Sequence, residues 1–210
     1  MNKNYIIGGA LAFFVIIVGT YLIMHGGTSP APAPAPTVAP VTQAAATSTY
    51  ATTSYSVVYP ATFTLNSSYV YDQVNPKKPI LGIKLVVPMS VATGTNLSLD
   101  SGVAIEQLPH AKKCTGDIYL HDNVRANSFS DNGVEFSVAS SSGAGAGNLY
   151  EETVYAITGS VPCTAIRYFI HSTSIGNYPP GSVREFDHAT LIASFDKIRQ
   201  SLVFMPSTTP

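Results

Sequence analysis

An uncharged apolar stretch near the amino terminus constrains this chain more than any other feature of its sequence. Residues 5–24 read YIIGGALAFFVIIVGTYLIM and contain no charged side chain. A helix rises about 1.5 Å per residue, so about 20 apolar residues cross the roughly 30 Å hydrocarbon core of a bilayer. We therefore predict one transmembrane helix over residues 5–24. The alternative is an export signal that is cleaved near the small residues 44–46.

The distribution of charge predicts the orientation of this segment. Lys3 is the only Lys or Arg before Lys77, and cationic flanks of a membrane helix stay on the cytoplasmic side. Residues 1–4 are therefore expected in the cytoplasm and the rest of the chain outside it. A retained anchor predicts a single-pass protein of the cell membrane, and a cleaved signal also places the remainder outside the cytoplasm.

A region rich in proline and alanine follows the apolar segment. Proline alternates with alanine from Pro30 to Pro36, and Pro40 follows. Alternating proline favours the extended polyproline II conformation, which rises about 3.1 Å per residue. We predict a semi-rigid linker over residues 25–54, a folded domain over residues 55–205 and a disordered tail over residues 206–210.

Most of the domain has the pattern of β-strands. Runs rich in Val, Ile, Thr and Tyr, such as residues 79–87 and Gly102–Leu108, are separated by Gly, Pro, Asn and Asp. Asn132-Gly133 lies between two such runs, and this dipeptide is the strongest short-range signal for a hairpin. A further hairpin is predicted from residues 149–157 and 165–172. Residues 140–148, SSSGAGAGN, predict a flexible loop by composition.

The end of the domain changes to a helical period. Leu191, Phe195, Ile198 and Leu202 form one apolar stripe, and Asp187 is placed to cap the helix amino terminus. Strands followed by a single helix predict an α+β fold. We expect an antiparallel β-sheet meander packed by this C-terminal amphipathic helix.

This plan resembles the PsbP-like fold. The shared features are an opening strand, a meander of long strands and a closing amphipathic helix. The residues that carry the resemblance are Tyr59, Pro60, Phe63, Phe195, Ile198 and Leu202. The resemblance implies an assembly or binding module without catalysis. The overall plan also resembles short membrane-anchored extracytoplasmic proteins of bacteria.

Composition and motifs argue against several functions. Of the eleven Lys and Arg residues only Lys3 precedes the domain, which leaves ten against twelve Asp and Glu. This balance predicts no nucleic-acid partner, because nucleic-acid sites are strongly basic. His110, Cys114 and His121 lack the spacing of a metal motif, and no cofactor or catalytic motif is found. We therefore predict no cofactor, no metal and no catalytic residues.

The chain has two cysteines, Cys114 and Cys163. A pair of cysteines outside the cytoplasm favours a disulfide, and two separate buried thiols are the alternative. We predict that the two residues are linked.

The predicted hairpin of residues 149–157 and 165–172 is the first place to look for a binding site. Its expected register pairs Tyr150 with His171 and Glu152 with Phe169, which makes Glu152 and Arg167 diagonal neighbours. Alternation then separates an apolar face from a mixed face. The mixed face is either a solvated surface with an exposed ion pair or a recognition surface. The candidate binding residues are Glu152, Arg167, Phe169, His171, Tyr178 and Arg184.

These observations predict a membrane-anchored, extracytoplasmic binding or assembly module. Its expected partners are the membrane, through the amino-terminal helix, and another envelope protein or a small ligand. Two alternatives remain open, a small extracytoplasmic hydrolase and a subunit of an envelope filament.

Overall fold

The computed structural model describes residues 45–205, so the predicted transmembrane segment, most of the predicted linker and the predicted tail lie outside the described residues. The strands are β1 (Thr47–Ala51), β2 (Tyr55–Pro60), β3 (Thr64–Tyr71), β4 (Ile80–Val86), β5 (Gly102–Leu108), β6 (Asn127–Asp131), β7 (Val134–Gly145), β8 (Asn148–Ile157), β9 (Cys163–Thr173) and β10 (Val203–Phe204). The helices are α1 (Met89–Ala92) and α2 (His188–Gln200). Neither α-helix within residues 45–205 is long and apolar enough to cross a membrane.

Seven strands form one antiparallel sheet in the order β3-β4-β5-β9-β8-β7-β6. Two meanders, β3-β4-β5 and β6-β7-β8-β9, therefore meet where β5 pairs with β9. The α+β class, rich in antiparallel sheet, is confirmed. The register predicted for the second hairpin is also confirmed, because Tyr150 pairs with His171 and Glu152 pairs with Phe169.

Helix α2 covers one face of this sheet. Leu191, Phe195 and Ile198 are buried against sheet residues such as Ile166 and Tyr168, as the apolar stripe predicted. The Asp187 carboxylate accepts a hydrogen bond from the Thr190 N–H at 2.9 Å, which confirms the predicted cap. The helix ends earlier than the stripe predicted. Leu202 lies beyond the end of α2, because the chain turns there to pair β10 with β2.

A small second sheet packs on the same face, with strand order β1-β2-β10. Its first strand, Thr47–Ala51, lies inside the range predicted to be linker. The prediction of linker up to residue 54 is wrong for this strand, since it pairs with β2 along its whole length. Residues 47–51 alternate between half-buried and exposed positions, and that short pattern was hidden by the Ala- and Thr-rich composition.

The prediction of a flexible loop at residues 140–148 is also wrong. Strand β7 continues to Gly145 and pairs with β8, because the serines and glycines of β7 complete a backbone ladder opposite Leu149–Thr153. Only Ala146 and Gly147 form the turn, with φ of 51° and 82°. Asn132 and Gly133 form the other hairpin turn, with φ of 50° and 78°, as predicted. Positive φ at both central residues is the mark of a type I′ turn.

Ala146→Gly should stabilise the domain by about 0.5–1 kcal/mol. A left-handed φ costs an L-residue about 1–2 kcal/mol, and glycine avoids this cost while it loses more chain entropy. Ala144→Gly is the matched control, because Ala144 lies in the paired part of β7 in the same hairpin. This control should destabilise the domain by about 0.5–1 kcal/mol. Urea unfolding measures the change in the free energy of unfolding for both variants. Changes of the same sign would contradict the turn assignment.

The other face of the sheet is covered by the segment from residue 110 to residue 126. A 3₁₀ turn at Gly116–Tyr119 lies on β7 and β8, and a Cβ on Gly116 would stand 2.7 Å from the Ala139 nitrogen. Only glycine therefore permits this contact. Tyr119 is completely buried, and its hydroxyl donates a hydrogen bond to the Cys163 carbonyl at 2.7 Å. We name residues 110–126 the cover segment.

A disulfide links the cover segment to the main sheet. Cys114 is bonded to Cys163 at the start of β9, with the two Cα atoms 5.1 Å apart. The predicted bridge is confirmed. It joins positions 49 residues apart in sequence, so it ties the cover segment to the strand that carries Arg167.

Replacing both cysteines by serine should lower the free energy of unfolding by about 2–4 kcal/mol. The bridge restricts a long loop in the unfolded chain, and without it the cover segment is also freer to leave the sheet. Urea unfolding measures the loss, and hydrogen exchange of residues 116–120 measures the opening of the cover segment. A loss below about 1 kcal/mol with unchanged exchange would contradict this role.

Candidate ligand-binding site

A cleft of about 720 Å³ lies on the sheet face that carries the cover segment. Sites for small ligands typically have volumes of about 300–1,000 Å³. Aromatic and charged side chains from β3, β4, β8 and β9 meet there. The lining residues are Tyr69, Val70, Tyr71, Asp72, Gln73, Lys84, Asp100, His121, Tyr150, Glu152 and Phe169.

The cleft exists because the middle of the sheet carries small residues. Gly82, Gly102 and Ala104 lie on β4 and β5, between the strands that supply the walls. A Cβ on Gly82 would stand 2.1 Å from the carbonyl oxygen of the neighbouring strand, so glycine is required there. The space lets Lys84 reach across β5, and its Nζ lies 4.6 Å from the centre of the Phe169 ring.

Arg167 lies beneath the cleft and is completely buried. Its Nε donates to Glu106 Oε1 at 2.8 Å, and its Nη2 donates to Glu106 Oε2 at 3.0 Å and to the Tyr119 carbonyl at 2.6 Å. Its Nη1 donates to Glu152, and its guanidinium stacks 3.7 Å from the centre of the Tyr71 ring. Desolvation is the largest single effect and opposes the charge, but attraction and hydrogen bonding by Glu106, together with attraction by Tyr71 and Glu152, outweigh it and raise the pKa of Arg167 above its ordinary value.

The mixed face was predicted to be either a solvated surface or a recognition surface, and both alternatives are wrong at Arg167. Arg167 and Glu152 do form an ion pair, but the guanidinium is inaccessible to solvent. The reason is tertiary, because the cover segment places Tyr119 over the arginine and Glu106 approaches from β5. Arg167 positions other groups and cannot itself contact a ligand.

Glu152 presents a carboxylate that is held from behind. The Tyr71 hydroxyl lies 3.1 and 3.0 Å from its two oxygens and donates to them, and Arg167 donates to Oε2. Its side chain retains 18% of its exposure, on the side that lines the cleft. The oxygens keep free acceptor capacity, since a carboxylate accepts about four hydrogen bonds.

Asp100 is a second carboxylate that is held by a basic side chain. His171 Nδ1 lies 2.8 Å from Asp100 Oδ1, and the His171 ring stacks on Tyr150 with centroids 4.5 Å apart. His171 Nε2 is buried and has no hydrogen-bond partner among the described residues. The histidine thus orders both Asp100 and the Tyr150 ring from behind the cleft.

Lys84 supplies the positive charge of the cleft. Its ammonium lies over the Phe169 and Tyr69 rings, at 4.6 and 5.5 Å from their centres. Burial lowers the pKa of Lys84, and Asp100 opposes this shift. No carboxylate in the described part of the chain lies within ion-pair distance of it. Its three N–H donors remain for a ligand.

The structure brings together only part of the predicted binding surface. Glu152 and Phe169 line the cleft, His171 lies behind it and Arg167 lies beneath it. Tyr178 does not line this cleft, and Arg184 lines a separate cleft of about 570 Å³ beside α2. A bridge between Thr95 and Arg184 carries the chain to that side of the sheet.

The sequence reasoning missed most of the wall opposite β8 and β9. Tyr69, Tyr71, Lys84 and Asp100 come from β3, β4 and the loop before β5, which no local pattern connects with β8. One local signal existed. Gly82 and Lys84 interrupt an apolar β run at alternate positions, and this places a glycine and a charge on the same face of a central strand.

Residues 45–205 contain no group of His, Cys, Asp and Glu that could hold a metal ion. Two histidines of this region lie within hydrogen-bond distance of carboxylates. His171 contacts Asp100, and His188 contacts Glu151. No family model matches this chain, and no curated protein is similar to it. The site is therefore interpreted from its own geometry.

Proposed function

We propose that this protein is a membrane-anchored, extracytoplasmic binding module whose ligand occupies the cleft at Lys84, Tyr150 and Glu152. In this proposal residues 5–24 anchor the chain, and the proline-rich linker holds the domain away from the membrane. The resemblance to PsbP-like domains belongs to the proposal. The packing of α2 on an antiparallel sheet supports it.

The buried ion pair of Arg167 and Glu106 is the observation that carries the proposal. Burying two charges costs several kcal/mol, and apolar side chains of similar volume often stabilise a protein equally well or better. Stability alone therefore does not explain the pair. Its effect is to hold the Glu152 carboxylate at the cleft wall, through a third contact from the same guanidinium. Groups fixed before binding raise affinity, because less ordering is required on association.

The position of residue 45 is compatible with an accessible cleft. Ala45 lies beside α2, near Ala193 and Lys197, and α2 covers the opposite face of the sheet. Ala45 thus lies on the side of the domain away from Lys84 and Glu152. The disulfide supports the extracytoplasmic part of the proposal, because such bonds persist in oxidising compartments.

The absence of tryptophan from the sequence makes the cleft directly testable. In the full-length chain, Tyr150→Trp places a single tryptophan in the cleft. Phe129→Trp, at an exposed position on β6, is the matched control. We expect a protein-free extract of the cell envelope to change the fluorescence of the Tyr150→Trp variant only. Adding Glu152→Gln should abolish the change. An equal response of both variants, or none, would refute a ligand site here.

A further inference from the structure

We propose that the ligand is a saccharide whose ring lies on Tyr150 and whose hydroxyl groups bond to Glu152, Asp100 and Lys84. This inference rests on the proposed function and specifies its ligand. It follows from three properties of the cleft: the hydrogen-bonding capacity of its walls, their charge, and the arrangement of its rings.

The polar groups of the cleft require a ligand that both donates and accepts hydrogen bonds. The ionised carboxylates of Glu152 and Asp100 only accept, whereas the Lys84 ammonium only donates. A ligand with acceptors alone leaves the two carboxylates unsatisfied, and a ligand with donors alone leaves Lys84 unsatisfied. A hydroxyl group does both. Several hydroxyl groups on one skeleton therefore match the cleft.

The charge of the walls disfavours both kinds of strongly charged ligand. Asp72, Asp100 and Glu152 line the cleft together with one lysine, Lys84, and one histidine, His121, so a polyanion is repelled. A small cation would need the aromatic faces, but the Lys84 ammonium already lies over Phe169 and Tyr69. A like charge at that position is unfavourable. An uncharged polyol meets neither obstacle.

The Tyr150 ring provides an apolar face beside these polar groups. Tyr150 and Phe169 both line the cleft, with centroids 6.5 Å apart, and the Lys84 ammonium lies over the Phe169 ring. His171 stacks behind Tyr150 and fixes that ring. A saccharide ring has one face of C–H groups and a rim of hydroxyl groups. Such a ring buries its C–H face on the Tyr150 ring while its rim meets the carboxylates and the ammonium.

Both wall carboxylates have a positioning partner. Arg167 donates to Glu152, and His171 Nδ1 lies 2.8 Å from Asp100 Oδ1. Hydroxyl recognition depends on such fixed acceptors, because one carboxylate that turns toward solvent loses its directed hydrogen bond. The arrangement therefore favours selective contact with hydroxyl pairs over general attraction of charge.

The test titrates the full-length Tyr150→Trp variant with neutral oligomers of glucose, mannose, galactose and N-acetylglucosamine. Choline, citrate and tetraethylene glycol dimethyl ether are the cationic, anionic and acceptor-only controls. We expect saturable binding of at least one oligomer and of none of the controls. Glu152→Gln and Asp100→Asn should each raise its Kd about tenfold or more, the effect of losing one directed contact. Glu185→Gln, in the Arg184 cleft, is the matched control and should leave the Kd unchanged.

Failure of this inference is distinguishable from failure of the proposed function. Periodate cleaves vicinal diols, so prior treatment of the envelope extract should abolish its effect on the Tyr150→Trp variant. A response that survives periodate, with no oligomer bound, would overturn the saccharide but leave the cleft as a ligand site. No response to untreated extract or oligomers would overturn both. Circular dichroism of each variant at neutral pH verifies folding, and Asp100→Asn serves if Glu152→Gln does not fold.

Discussion

Arg167→Met should lower the free energy of unfolding by about 3–5 kcal/mol. The substitution leaves the Glu106 carboxylate completely buried, without the two hydrogen bonds and the charge that compensate it. It also removes the hydrogen bond to the Tyr119 carbonyl, which fastens the cover segment. Urea unfolding monitored by far-UV circular dichroism measures the loss.

The double variant Arg167→Met/Glu106→Leu separates this explanation from simple loss of packing. With both charges removed, no ion remains buried, so most of the lost stability should return. Arg184→Met is the matched control and should change the free energy of unfolding by less than about 0.5 kcal/mol, because Arg184 is exposed. A double variant as unstable as the single variant would contradict the role assigned to Glu106. Glu152 would still lose its positioning partner, so ligand binding should remain weak in the double variant.

The domain should lose stability steeply above about pH 10, where tyrosine ionises in unfolded chains. Burial raises the pKa of four tyrosines that are less than a tenth exposed, and for Tyr55 the pKa rises to about 12. The other three are Tyr71, Tyr119 and Tyr168. Above pH 10 the unfolded chain releases these protons while the folded chain keeps them. The folded state then binds more protons, so stability falls as pH rises.

Each such tyrosine contributes a slope of about 1.4 kcal/mol per pH unit, and the four together give about 5.5 kcal/mol per pH unit. Urea unfolding between pH 8 and 12 measures the slope. The chain contains no tryptophan, so tyrosinate absorbance is clearly observed and should rise together with loss of near-UV circular dichroism. Tyr168→Phe should make the slope shallower by about 1.4 kcal/mol per pH unit, although it loses a hydrogen bond to Asp196. Ionisation of these four buried tyrosines well before unfolding would contradict this explanation.

Local patterns in the sequence were sufficient for much of the architecture. The period of α2, its cap at Asp187 and the Asn132-Gly133 turn each depend on interactions between residues close together in the chain. The register of β8 with β9 also followed, because a short connection leaves few alternatives. The disulfide followed from two cysteines and the predicted compartment. The prediction of a membrane anchor at residues 5–24 rests on the same kind of local reasoning.

Only the tertiary structure showed which residues form the site. Glu106, Tyr119, Glu152 and Arg167 lie on three strands and the cover segment, and no periodicity connects positions that far apart. Alternation placed Arg167 on the face opposite α2, but it could not show that the cover segment buries that face. The alternation of side chains between two faces is a property of a single strand. Burial depends on which other parts of the chain pack against that strand. The same limit applied to Ser140–Gly145, whose flexible composition was overridden by backbone pairing with a neighbouring strand.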